Sequence, residues 1–187
     1  FKHQYPGIVL DVLFENRVDD LLRDEVDIAV RVMSEAPQTL VAREMGAVRY
    51  LCCASSAFAR EQGMPQTLDD LRRSPLITSA VVGRQLRLSA YLAQARHEVM
   101  LEPTLISEHF PFLREAIQAG LGVGIVPDYV VADAIASGSI VTALDAWRLS
   151  IFGNQLFMLY MPNRHQTRSA RALIDFLLEK ATGRQPV

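Results

Sequence analysis

The residues best suited to chemistry stand at the head of one short stretch. Ser107-Glu-His-Phe110 is followed by Pro111 and then by Phe112, Leu113, Ala116 and Ile117 at helical spacing. A hydroxyl, a carboxylate, an imidazole and an aromatic ring at the start of a helix suit recognition of a small molecule. Free N–H groups there attract anions. Phe110 could stack on an aromatic or close an apolar pocket. His109 could donate to a carboxylate, with a solvent-exposed imidazole as the plainer reading. Glu108 speaks against a strongly anionic ligand if it points inward. Thr78 and Ser79 end a second apolar run and add two hydroxyls, unless they are ordinary strand-end residues. Arg31 ends the strand that opens with Asp27-Ile-Ala-Val30, faces the loop after it, and offers a guanidinium that can clamp a carboxylate through two hydrogen bonds, or else form a salt bridge. Asn16 could reach a ligand with its amide, although capping a helix accounts for it equally simply.

These groups bind; they do not form a reaction centre. No nucleophile stands at a spacing that would pair it with a base, and no two titratable groups are spaced for acid/base work. His3, His97, His109 and His165 are scattered and share no ligand spacing. Asp19, Asp20 and Asp24 fit the solvated face of a helix. Cys52 and Cys53 sit in an apolar run, the setting of small buried side chains rather than of an electropositive redox sensor. The expectation is a binding domain that is not an enzyme, with no catalytic residue, no metal and no cofactor.

The elements that must hold these residues alternate between strand and helix. Ile8 to Phe14 reads as a strand buried on both faces. A helix follows from Arg17 to about Asp24, capped by Asn16, and then a strand from Asp27 to Val32. Short links make this a βαβ unit with parallel strands. Leu40 to Glu44 and Ala47 to Ala54 read as extended, and Ser55 or Ser56 caps a helix that runs to Gly63. Thr67-Leu-Asp-Asp70 matches a capping box. Leu76 to Ala80 and Thr104 to Ser107 are strands, while residues 81–103 match no template. Gly120 ends the helix that contains Pro111, Val123 to Val126 is a short buried strand, and Pro127 opens another helix. Ile140 to Leu144 and Gln155 to Met161 read as strands, and Gln166 to Lys180 as an amphipathic helix.

With 187 residues, half of them hydrophobic, the chain can fill a large core. A formal net charge of −2 is no basis for gripping a phosphate backbone, so these residues alone should not bind nucleic acid. No apolar run reaches the length of a membrane span, and the first residues do not read as a signal peptide. Two adjacent cysteines are no disulfide framework, and a reducing, cytoplasmic setting follows. Tyr50 to Ala54 and Leu156 to Tyr160 bracket the middle of the chain. They are expected to run side by side as crossing strands between lobe I (residues 1–54 with 158–187) and lobe II (residues 55–157). A ligand cleft would lie between the two α/β lobes.

Several stretches together resemble the LysR-type transcriptional regulators. They are Tyr5-Pro-Gly-Ile-Val-Leu10, Asp27-Ile-Ala-Val-Arg31, Cys53-Ala-Ser-Ser-Ala-Phe58, Gly63-Met-Pro65, Asp70-Leu71, Gln118-Ala-Gly-Leu-Gly-Val-Gly-Ile-Val-Pro127 and Ala172-Leu-Ile-Asp-Phe-Leu177. The resemblance implies the effector-binding domain, with the fold of type 2 periplasmic binding proteins: two Rossmann-like lobes, two crossing strands and an effector in the cleft. It implies that Arg31 and the turn at Ser107 to Phe110 line that cleft. It further implies a homodimer in which the helix after Asn16 meets the helix at Pro111 to Ala119 of the partner. A full-length chain could go on to a tetramer. The family's winged helix-turn-helix, its linker helix and the domain's first strand find no match here, so DNA is expected to be met only through a separate N-terminal domain. The alternative is a transport-type solute-binding protein of the same fold.

Overall fold

The computed structural model describes residues 1–14, 26–79, 84–162 and 166–182. In chain order the strands and helices are β1 (Ala29–Met33), β2 (Val41–Ala47), β3 (Tyr50–Ser55), α1 (Ser56–Gln62), α2 (Leu68–Leu71), β4 (Leu76–Thr78), β5 (Leu86–Leu92), β6 (Ala95–Leu101), β7 (Leu105–Ile106), α3 (Phe110–Gln118), β8 (Val123–Pro127), α4 (Asp128–Ala136), β9 (Ile140–Ala143), β10 (Arg148–Ser150), β11 (Gln155–Tyr160) and α5 (Arg168–Thr182). They fall into two compact units: Phe1–Val48 with Phe152–Val187, and Arg49–Ile151.

In the first unit β11 is the middle strand of three. It pairs antiparallel with β1 on one side and with β2 on the other. Phe157 and Leu159 of β11 pack with Ala29 and Leu40 as the core of this unit. In the second unit the strand order is β6-β5-β10-β3-β8-β4-β7, with β9 also on β3. All six residues of β3 are buried. One of its edges is taken by β8, the other by β10 at Tyr50 and by β9 from Cys52 to Ser55. β4 runs parallel to both β8 and β7.

Capping chemistry sets several ends. Ser55 accepts the N–H of Phe58 at 3.1 Å and so starts α1. Thr67 and Asp70 form the expected reciprocal box at α2. The Asp70 carboxylate, bonded by Arg73 first and then by Thr67 and the N–H of Gln66, has its pKa held down to about 2. Gly120, at φ +76°, stops α3 in the left-handed conformation, and the N–H of Leu121 closes back on the Ala116 carbonyl at 3.1 Å.

Several expectations fail. Residues 8–14 form no strand: Val9 is 89% exposed and Phe14 84%. Apolar content alone does not make a strand, because each N–H and C=O needs a ladder partner, and no described strand pairs with this segment. The predicted helix from Arg17 to Asp24 lies outside the described residues. β1 therefore has no parallel partner among the described residues and pairs antiparallel with β11. Nor do Tyr50–Ala54 and Leu156–Tyr160 pair with one another. Both edges of each are occupied by other strands, β3 by β8, β9 and β10, and β11 by β1 and β2. Residues 86–101, unassigned from sequence, form the β5–β6 hairpin. Leu86, Leu88 and Ala90 alternate inward on one strand, Val99 and Leu101 on the other. Its two-residue turn has Ala93 at φ +52° in place of the glycine or asparagine that marks such turns.

Close packing around β8 depends on two glycines, Gly122 against Pro75 and Gly124 against α3. A Cβ on Gly122 would lie 2.1 Å from the Pro75 carbonyl oxygen, and one on Gly124 would lie 2.3 Å from Ile117 Cδ1. The first obstacle is backbone, already bonded to the Val123 N–H at 2.8 Å. Gly122→Ala is expected to destabilise the second unit by about 2 kcal/mol or more, read as a fall in the urea midpoint. An unchanged midpoint would show that the Pro75 strand can move away freely.

Candidate functional site

Three strands of the second unit end side by side. β8, β4 and β7 are mutually parallel neighbours, with Thr78 opposite Ile125 and Ile106. Their C-terminal ends therefore place Ser79, Ser107 and the Pro127-Asp-Tyr129 turn along one edge of the sheet, the edge where open α/β sheets bind ligands. The main-chain N–H of Ser107 donates to the Thr78 carbonyl at 3.2 Å, which ties the two hydroxyl-bearing ends together.

The side chains divide the work. Thr78 is fully buried, and its hydroxyl donates to the Ile125 carbonyl at 3.3 Å. That makes it a sheet-binding residue rather than a ligand contact. Ser79 is 8% exposed and makes no side-chain hydrogen bond among the described residues. The Ser107 hydroxyl accepts the His109 N–H at 3.1 Å and so shapes the turn into α3. His109 is the N-cap of α3, and its Nδ1 accepts the Phe112 N–H at 3.2 Å. Glu108 is exposed. Phe110 lies against the core formed by Leu113, Ile117 and Val131. Its ring stands edge-on to Tyr129, with centroids 6.1 Å apart. Tyr129 was not among the sequence candidates. The signal was available, because Pro127-Asp-Tyr129 ends a strand of the same sheet and opens a helix just as Ser107 to Phe110 does.

Arg31 belongs to the first unit. It sits at the centre of β1 opposite Phe157 rather than at the strand's end, it is partly buried, and its Nη1 donates to the Val30 carbonyl at 3.0 Å. Asn16 lies outside the described residues. Thus Ser79, Ser107, Glu108, His109 and Phe110 are gathered within one unit, and Arg31 is carried by the other.

A model of the LysR substrate binding domain matches residues 1–182. The chain belongs to this family. It is 27% identical over 180 residues to the probable HTH-type transcriptional regulator LtrA of Klebsiella pneumoniae, covering 96% of the chain and 58% of the relative. It is 26% identical over 188 residues to the HTH-type transcriptional regulator PtxR of Pseudomonas aeruginosa, covering 100% and 59%. The chain thus spans about three-fifths of these relatives' length. Among solved structures it resembles full-length AphB, a Vibrio cholerae virulence activator, with a TM-score of 0.78, 25% identity and coverage of 96% of this chain and 60% of that one. The regulatory domain of CrgA from Neisseria meningitidis shares the fold, with a TM-score of 0.78 at 22% identity over 96% of this chain and 87% of that one. The fold is accordingly the periplasmic-binding-protein-like one of LysR-type effector domains, and relatives that are transcriptional regulators do not favour the transport reading. No helix among the described residues is long and apolar enough to cross a membrane.

The paired thiols have no place in this site. Cys52 and Cys53 lie in the middle of the central strand β3, 1% and 0% exposed. Burial pushes the Cys53 thiol up to about 12. It raises Cys52 well above the usual thiol range, with smaller contributions from Cys53 and Asp145. Thiolate is the reactive form. Neither cysteine should react with a thiol-specific disulfide reagent in the folded domain, and both should react in urea. Fast labelling of either one in the native protein would contradict this assignment.

Proposed function

We propose that this domain senses a small molecule bearing a hydrogen-bond acceptor, a carboxylate being the leading chemistry, and passes its occupancy to a DNA-binding domain outside these residues. The observation that carries the reading is the convergence of Ser79, Ser107, His109 and Phe110 at the ends of parallel strands and the N-terminus of α3. That edge offers serine hydroxyls, an aromatic wall and the positive end of a helix dipole, a combination that binds a flat molecule with one polar end. In this reading Arg31 supplies a guanidinium. Asn16 supplies an amide, and Glu108, on the rim, disfavours ligands of high negative charge. An effector that binds one conformation of the domain better than another would shift it toward that conformation. Its differential affinity for the two conformations is the whole of the free energy available to alter DNA binding. The domain works without catalysis, metal or cofactor, in the cytoplasm and as a homodimer.

A thermal-shift screen of small carboxylates and aromatics tests the sensor. A ligand at about 100 times its dissociation constant adds about 2.7 kcal/mol of stability, a readily measured rise in Tm. Arg31→Ala should then weaken a carboxylate that scores by about 1.5–3 kcal/mol in calorimetry while leaving the fold intact. Unchanged affinity in a folded Arg31→Ala domain would remove that residue from the site. Light scattering checks the assembly: the mass of a dimer is expected, and a monomer at high concentration would count against a dimer formed by these residues.

A further inference from the structure

The usual N-caps are serine, threonine, aspartate and asparagine. Here a histidine caps α3. The Phe112 N–H is given to His109 Nδ1 at 3.2 Å, the His109 N–H goes to the Ser107 hydroxyl at 3.1 Å, and the His109 carbonyl accepts from Leu113 at 3.1 Å. Backbone and ring are thus both held. An imidazole nitrogen accepts a hydrogen bond only through its lone pair, so a ring that caps through Nδ1 carries its proton on Nε2. The cap chooses the tautomer, and the free end of the ring is left as a single donor.

We infer that His109 is a positioning and specificity-determining residue: α3 locks it as the Nε2–H tautomer, so that it meets a ligand only as a donor and selects an acceptor atom over an amine. This rests on the effector site proposed above. Phe110, next in the chain, has its ring held edge-on to Tyr129. The only charged side chains on the helix that packs against α3, Asp128 and Asp133 of α4, are acidic and so bring no competing donor.

The ¹⁵N-labelled domain tests this in three steps, with the imidazole nitrogens read by two-bond proton–nitrogen correlation and His109 assigned by the signals lost in H109N. His109 should show an unprotonated, pyridine-type Nδ1 and a protonated, pyrrole-type Nε2 as one tautomer. An averaged pattern, or a proton on Nδ1, overturns the lock. H109N keeps an acceptor at the cap and should melt near the parent, whereas H109A should melt lower; equal melting of H109A and parent overturns the cap. Finally, benzoate should shift the Nε2 resonance and benzylamine should not. A shift with benzylamine overturns the selectivity, and a resonance that moves with neither removes His109 from the effector site while the tautomer result stands. Loss of the tautomer with the benzoate response intact overturns the lock and leaves the site.

Discussion

The second unit depends on how closely α3 can lie on β8. Gly124 has no Cβ, and Ile117 of the helix fills the space one would occupy. Gly122 similarly lets Pro75, just before β4, approach until its carbonyl accepts the Val123 N–H. These contacts bury Ile117, Leu113, Val123 and Ile125 completely. Each such side chain contributes on the order of 1.5–3 kcal/mol. The same approach fixes the register of β4 on β8, and through β4 that of β7.

The binding edge is a consequence of that register. Because β4, β7 and β8 are parallel, their polar ends emerge together, and the helix that follows β7 begins where they end. Ser107 and His109 spend their acceptors on the turn and the cap, which makes them rigid. Ser79, 8% exposed, follows β4 beside them. The arrangement is of the kind that ligand sites in open α/β sheets use, with polar groups held beside a small apolar wall. At this same C-terminal end of β8, Tyr50 stands opposite Pro127. Burial above all, with Tyr129 adding to it, pushes its phenol up to about 12, so it stays neutral as part of the core.

Pattern and packing parted company where a pairing partner was involved. The apolar run at residues 8–14 satisfies every local criterion for a strand, yet it finds no ladder among the described residues and is largely exposed. The β5–β6 hairpin shows the reverse. Its alternation was present, but an alanine at the turn hid the boundary. Tyr50 to Ala54 was correctly read as buried and wrongly given Leu156 to Tyr160 as its neighbour, since burial does not say which strand does the burying. Arg31 was rightly placed on a strand and wrongly at its end.

What the sequence determined by itself was local: caps at Ser55, Thr67 and Gly120, the helix opened around Pro111, the buried strand after Gly122, and the polar cluster from Ser107 to Phe110. The sequence motifs also sufficed for the family. Such features arise from backbone sterics and from hydrogen bonds between residues a few positions apart, so they are written in adjacent letters. The tertiary structure alone decided that Thr78 serves the sheet, that Tyr129 faces Phe110, that His109 accepts through Nδ1, and that β3 and β11 belong to different sheets. Each of these depends on which distant residue supplies a bond or fills a space, and that is set by packing of the whole unit rather than by any neighbour in sequence.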